Sequence, residues 1–404
     1  MELTQYGVDD LQVLLKSFGQ LGEKILSGDI TEEIKAVNKK QLRSFKTKEA
    51  CKLIGRSDTF LKNLEKTGAE YVPKKINGIR IYDLELINRI RDKAGTRLTK
   101  PSNAPPLVIA ISNFKGGVAK SNTSKSLADR LGIEGLRVLV WGLDPQGTDA
   151  LYYGLIPEIE IKPSESISKA FLEDPSDIKR VIRKTYFPGV DIIPGSLALS
   201  EVEIRLNDFR EQMNLVKKLG FPDERLQNAL SYVENDYDVI ILDCGPNLNI
   251  LTLNAINAAN GLLIPVPPAL PDLASFGTYC TTLSQHLESN GKHKILDFFR
   301  ILISKHPKNR TAEKISNIVL REFGSYVLPK FIVHSAEIEL AASKFCSVYE
   351  LPPSSKKTYK RAIESLDSVF NEILEAVKTI WQAQTTNNEP DSMYYSPTEV
   401  ENVY

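Results

Sequence analysis

The chain has 404 residues, 42% hydrophobic and 25% charged, with 51 basic and 51 acidic side chains. That length accommodates two or three domains with sizeable cores, and the composition excludes fibrous and wholly disordered classes. A net charge of zero excludes a uniform polycation, so any nucleic-acid affinity has to come from charge separated along the chain.

No apolar run approaches the roughly 18 residues of a membrane span, and Met1-Glu2-Leu3-Thr4 does not open a basic and then apolar leader. Cys51, Cys244, Cys280 and Cys346 lack paired metal-type spacing and read as reduced thiols. These features point to a cytoplasmic protein with no membrane partner.

In residues 1–38, Leu11, Leu14, Leu15, Phe18, Leu21, Ile25 and Leu26 recur at helical spacing. The stripe needs a surface to pack on, either its own domain or a dimer contact.

Between residues 39 and 100 basic residues outnumber acidic ones, 17 against 7. Two short helical patterns flank Gly55, with Ser57 or Asp58 placed to cap the second. Ala50, Leu53, Ile54, Phe60, Leu61 and Leu64 form their inner faces, which leaves Arg56, Ser57, Thr59, Lys62 and Lys66 free to meet DNA. Lys74-Lys75-Ile76-Asn77-Gly78-Ile79-Arg80-Ile81-Tyr82 then alternates around Asn-Gly, a hairpin signal, giving a basic wing whose Lys75 and Arg80 would touch phosphates. With a closing helix at 84–94, residues 39–95 read as a winged helix-turn-helix resembling the MerR-like readers; the alternative is a helical hairpin without DNA contact. Residues 96–106, with Pro101, Pro105 and Pro106, read as a linker.

Residues 107–384 form the main domain. Strand-like runs at 107–111, 137–143, 190–193, 239–243, 261–266, 299–303 and 330–333 alternate with helical patterns, the arrangement of a mostly parallel, doubly wound α/β sheet covered on both faces. Ligands of such sheets lie at the carboxyl ends of the strands. The helical pattern at 357–381 closes the domain, and residues 385–404, with Glu389, Asp391, Glu399, Glu401 and no Lys or Arg, read as a disordered acidic tail.

The first run leads into Ser112-Asn113-Phe114-Lys115-Gly116-Gly117-Val118-Ala119-Lys120-Ser121-Asn122, a strand, glycine-rich loop and helix start. In such a loop backbone N–H groups face an anion, a lysine reaches the terminal phosphates, and a hydroxyl at the helix start ligates Mg²⁺. Lys120 and Ser121 suit the last two roles. Two further strands end in carboxylates, Val138-Leu139-Val140-Trp141-Gly142-Leu143-Asp144 and Val239-Ile240-Ile241-Leu242-Asp243, each able to hold a metal or a water near a terminal phosphate. Cys244 reads as a bystander thiol.

Ala119 stands where the usual P-loop has glycine, but the early Lys115 compensates: Lys115-Gly116-Gly117-Val118-Ala119-Lys120-Ser121 resembles the deviant Walker A box of the ParA/MinD ATPases. The resemblance spans roughly residues 107–350. It includes Pro188-Gly189-Val190-Asp191-Ile192-Ile193-Pro194 and Ser347-Val348-Tyr349-Glu350, and with Gly142 and Gly147-Thr148 it is similar to the large, SopA-type plasmid partition ParA proteins.

The resemblance implies ATP and Mg²⁺ as cofactors and weak ATP hydrolysis. Lys115, Gly116, Gly117, Val118, Ala119, Lys120, Ser121 and Asn122 would cradle the nucleotide, and Pro265 and Pro267 would lie against its base. Ser121 and Asp243 would hold Mg²⁺, the latter directly or through water. Lys115, Lys120 and Asp144 would be catalytic, Asp144 orienting the attacking water and Lys115 crossing to the neighbour's phosphates in a homodimer.

It also implies a ParB/SopB-type centromere-binding partner that stimulates hydrolysis, higher-order assembly on DNA, nucleoid association, and non-specific DNA binding through carboxy-terminal cations. Lys330 and Lys344 are foremost among these, ahead of Lys305, Lys308 and Arg310; His334 replaces a basic residue. Operator binding by the amino-terminal reader would give autorepression. A competing reading is an ATP-gated repressor with little or no hydrolysis, suggested by Ala119 and the Ser121-Asn122 pair. A MinD-like membrane ATPase is disfavoured by the acidic carboxyl end, and an iron–sulfur relative by the cysteine placement.

Overall fold

The computed structural model describes residues 12–13, 15–21, 40–102, 104–161, 165–289 and 295–386. Most of the amino-terminal stripe and the tail from residue 387 lie outside these. Within them, residues 15–21 are helical, with Leu15, Phe18 and Leu21 exposed.

The basic segment folds as β1 (Phe45–Lys46), α1 (Thr47–Ile54), α2 (Asp58–Leu64), β2 (Lys74–Ile76), β3 (Ile79–Tyr82) and α3 (Leu84–Ala94). Gly55, at φ 71°, ends α1 in the left-handed conformation, and the Ser57 hydroxyl accepts the Phe60 N–H to start α2. Asn77 and Gly78, both at positive φ, make the tight turn between β2 and β3 that pairs Ile76 with Ile79. A third strand not evident in the sequence, β1, pairs Phe45 with Tyr82 and buries both rings.

The larger sheet contains β4 (Leu107–Ile111), β5 (Val138–Leu143), β6 (Arg183–Lys184), β7 (Val190–Ile193), β8 (Val239–Cys244), β9 (Gly261–Val266) and β10 (Phe298–Ile303). Their spatial order is β10-β9-β4-β8-β5-β7-β6, parallel throughout except for the antiparallel edge pair β6/β7. Helices bearing on the site are α4 (Lys120–Ile133), α5 (Thr148–Tyr152), α6 (Leu270–Ser289), α7 (Ala336–Ser343) and α8 (Lys357–Thr386).

Period-two alternation divides the sheet between two cores. Leu107, Ile109 and Ile111 face one, Val108 and Ala110 the other, so β4 is buried on both sides. The first core is shared with the amino-terminal segment: Tyr82, Leu84 and Ile87 belong to the same cluster as Leu131, Leu366 and Phe370. Arg91 of α3 is 1% exposed and donates to Ile133 O at 2.7 Å, satisfying a carbonyl at the end of α4.

Two expectations change. Residues 330–333 form no regular strand: Leu328 and Ile332 donate to Ile301 O and Ile303 O of β10, four residues matched to two, so the ladder is interrupted and resumes as an isolated bridge between Val333 and His306. Described parts of the expected linker are fastened down, with Ala104 buried and Arg97 Nε donating to Gly135 O at 2.9 Å.

Candidate nucleotide-binding site

β4 ends at Ile111 and α4 begins at Lys120, so the loop between them opens at the carboxyl edge of the sheet. Asn113 organises it: Oδ1 accepts the Lys115 N–H at 3.1 Å, and Nδ2 donates to Pro265 O at 2.7 Å. Ser304 Oγ donates to Val118 O at 2.9 Å and fixes the far side. Gly117 and Ala119 lie at φ 77° and 76°, a conformation that glycine adopts freely and alanine only with strain.

Lys120 is buried and donates through Nζ to Asn113 O at 3.0 Å and Lys115 O at 2.9 Å. Burial lowers its pKa, against the pull of the nearby Asp243 carboxylate. Asp243, near the end of β8, is 2% exposed and accepts from Ser124 Oγ at 2.9 Å, with the Ser121 hydroxyl as a second donor. Desolvation raises its pKa to about 6, opposed by those hydroxyls and Lys120. Asp144 follows β5, and its Oδ1 accepts the Gln146 N–H at 2.9 Å, closing a tight turn. Burial pushes the Cys244 thiol up to about 12, which leaves it unreactive.

Lys120, Asp144 and Cys244 border a cavity of about 330 Å³, with Asp243 just outside its lining. Gly116, Gly117, Ala119, Lys120, Ser121, Asn122 and Asp144 form one wall. A further wall comes from Ile332, Val333, His334, Ile338 and Ala342, and Tyr152 and Lys305 also line the cavity. That wall was not legible in the sequence, because it comes from an irregular segment and α7, far from any phosphate-type motif. Tyr152 is hydrogen-bonded to the Asn122 side chain.

Several expected residues lie elsewhere. Pro265 is inside β9, and neither it nor Pro267 lines the cavity. Val118 is buried beneath the loop. Lys115 is turned away, its Nζ 3.0 Å from the Asp272 carboxylate of α6.

Among the amino-terminal candidates, Thr59, Lys62 and Lys75 are exposed, Lys62 pairing with Asp58 at 2.9 Å. Ser57 serves as the cap of α2, and Arg56 donates to Ala94 O at 3.0 Å while stacking over Phe60. Arg80 departs from its expected phosphate contact. It folds inward onto Asp58 and Glu65, because two carboxylates on and just after α2 outcompete solvent for a guanidinium on the adjoining strand. Lys330 and Lys344 are exposed; Lys305 is exposed too but borders the cavity.

The family described as an AAA domain matches residues 107–294. Protein SopA of Escherichia coli (strain K12) is 32% identical over 357 residues, which cover 85% of this chain and 91% of that protein. A solved structure titled Partition Protein superposes with a TM-score of 0.62 at 23% identity, covering 89% of this chain and 98% of its own. Cobyrinic acid a,c-diamide synthase from Mycobacterium smegmatis, solved with a bound ATP analogue and magnesium, shares the fold at a TM-score of 0.53 and 22% identity over 68% of this chain and 96% of its own. No helix among the described residues is long and apolar enough to cross a membrane. With SopA matched across nearly its whole length and the P-loop, Asp144 and Asp243 at one edge of the sheet, the chain belongs to the ParA-type plasmid partition ATPases.

Proposed function

We propose that this chain is an ATP-hydrolysing partition ATPase of a plasmid or plasmid-prophage. The observation that supports it most is the convergence of Lys120, Ser121 and Asp144 on one cavity, with Asp243 directly behind Ser121. The donor set fits Mg²⁺: a hydroxyl and a buried carboxylate, both hard oxygen ligands. Ser121 and Asp243 would hold the ion, Asp243 directly or through water, and a cation there neutralises phosphate charge.

Lys120 now satisfies its ammonium on two loop carbonyls and would exchange them for phosphate oxygens. The backbone of Gly116, Gly117 and Ala119 cradles the anion. Asp144, held by its own turn, orients the attacking water. Without a strong general base, hydrolysis depends on positioning and electrostatics and is intrinsically slow. Lys115 acts across a homodimer on the neighbour's phosphates, and higher-order assembly builds on that dimer.

The ATP-bound dimer binds DNA without sequence preference through cations that include Lys330 and Lys344. A ParB/SopB-type protein bound at a centromere-like site stimulates hydrolysis and releases it. The winged helix-turn-helix binds the operator through α2 and the wing and represses its own transcription. The protein is cytoplasmic and nucleoid-associated. The competing reading, an ATP-gated repressor with little hydrolysis, draws on the strained Ala119.

Co-sedimentation with non-specific duplex tests this reading. Native protein should be retained with ATP and released with ADP, and Lys115→Ala should be lost under both conditions. Equal retention of native protein with either nucleotide would contradict it.

A further inference from the structure

Asp149, at the start of α5, is 4% exposed, yet it is a carboxylate that no phosphate-binding motif requires. A methyl group built on Gly142 would overlap all three atoms of its carboxyl group, so Asp149 fills the place where β5 carries no side chain. Gly142 is the register partner of Asp243 across β5 and β8, which brings the two carboxylates to neighbouring positions at one edge of the sheet. Asp149 Oδ2 accepts the Gly195 N–H at 3.0 Å, whereas Oδ1 is buried with no hydrogen-bond partner among the described residues.

The cradle is built for this carboxyl. A Cβ on Gly195 would come within 2.6 Å of Asp144 O and 2.8 Å of Asp149 Oδ1, and one on Gly147 within 2.8 Å of Gly195 O. Three glycines therefore let two segments close on the carboxylate: the turn after β5 that bears Asp144, and the turn after β7. Burial pushes the Asp149 pKa up to about 7; the Asp243 and Asp144 charges add to the shift and the Gly195 N–H opposes it. Holding a carboxyl in this way is costly unless it fixes something.

We propose that Asp149 is a positioning residue for ATP hydrolysis: seated over Gly142, its carboxylate clamps the Asp144 turn to Gly195 and so holds Asp144 at the γ-phosphate end of the cavity. This rests on reading the site as hydrolytic. Asp149 itself touches no substrate; it acts through Asp144.

The test moves the carboxylate. Asp149→Ala and the double variant Asp149→Ala with Gly142→Asp are compared with native protein for kcat, KM for ATP, thermal midpoint and hydrogen exchange at the Gly195 amide. Asp149→Ala should lose roughly tenfold to a hundredfold in kcat with KM changed by less than about threefold, and Gly195 should exchange faster. The double variant, which returns a carboxyl from the strand, should recover kcat to within about threefold of native and restore slow exchange at Gly195.

Native kcat and native exchange in Asp149→Ala would overturn the proposal. So would a loss that falls equally on ATP affinity, or one that Gly142→Asp fails to rescue. If native protein turns over no ATP at all, the hydrolytic reading is what fails. Gly195 exchange then decides the clamp alone: faster in Asp149→Ala and slowed again in the double variant supports it, and no change overturns it.

Discussion

The Lys115 ammonium lies 3.0 Å from the Asp272 carboxylate, and the two side chains are 39% and 13% exposed. The lysine assigned to the neighbouring subunit is thus held by its own α6. Breaking a partly exposed pair of this kind costs up to about 1 kcal/mol, a cost that Asp272→Asn removes, so the substitution should tighten ATP-dependent dimerisation by as much as about fivefold. Analytical ultracentrifugation with ATP measures the change. A weaker or unaltered dimer would mean that Asp272 does not restrain Lys115.

Ala119 sits at φ 76°, where its Cβ meets the following carbonyl. Relief of that strain, less the greater backbone entropy of glycine, should let Ala119→Gly raise stability by roughly 0.5–1 kcal/mol. Thermal denaturation should show a higher midpoint, with ATP turnover retained. A lower midpoint would mean that the loop favours alanine for a reason its backbone does not reveal.

The wing separates two cations that look alike in sequence. Arg80 is paired internally with Asp58 and Glu65, so Arg80→Ala should destabilise the amino-terminal segment by about 1 kcal/mol, and any loss of DNA affinity should track that unfolding. Lys75 is exposed, and Lys75→Ala should leave the melting curve unchanged while lowering the salt slope of operator binding by about one. Fluorescence anisotropy over a salt series distinguishes the two.

Lys40 donates to the carbonyls of Leu151, Tyr152 and Phe345, and burial lowers its pKa to about 8. Between pH 8 and 10.5 the unfolded chain holds a proton at this lysine that the folded chain has released. Folding stability therefore rises with pH across that window, by at most about 1.4 kcal/mol per unit. Urea denaturation of native protein and Lys40→Met should reveal that slope in the native protein alone; equal slopes would mean that Lys40 keeps its ordinary pKa.

Much of this molecule was legible in its sequence because the relevant signals are local. Apolar runs ending in Asp144 and Asp243, and a glycine-rich loop ending in Lys120-Ser121, state both strand direction and the edge where the site lies. The pair Ser57 and Asp58 likewise marks the start of α2 from neighbouring positions, and Ser57 is the one that caps it. What sequence concealed depends on non-local packing. Nothing local to Arg80 shows that Asp58 and Glu65 will fold against it, and nothing in the polar pair Arg183–Lys184 announces an edge strand. The Ile332 to Ala342 wall reaches the cavity only through the return of the chain beyond β10, and Asp149 reaches Gly142 only because three glycines leave it room.

Steady-state ATP turnover, with and without non-specific duplex DNA, for native protein and Lys120→Ala, tests the central claim most directly. The account predicts a low native rate that DNA raises and that the substitution abolishes. ATP binding without hydrolysis, even with DNA and the cognate ParB-type partner present, would contradict it and leave an ATP-gated repressor in its place.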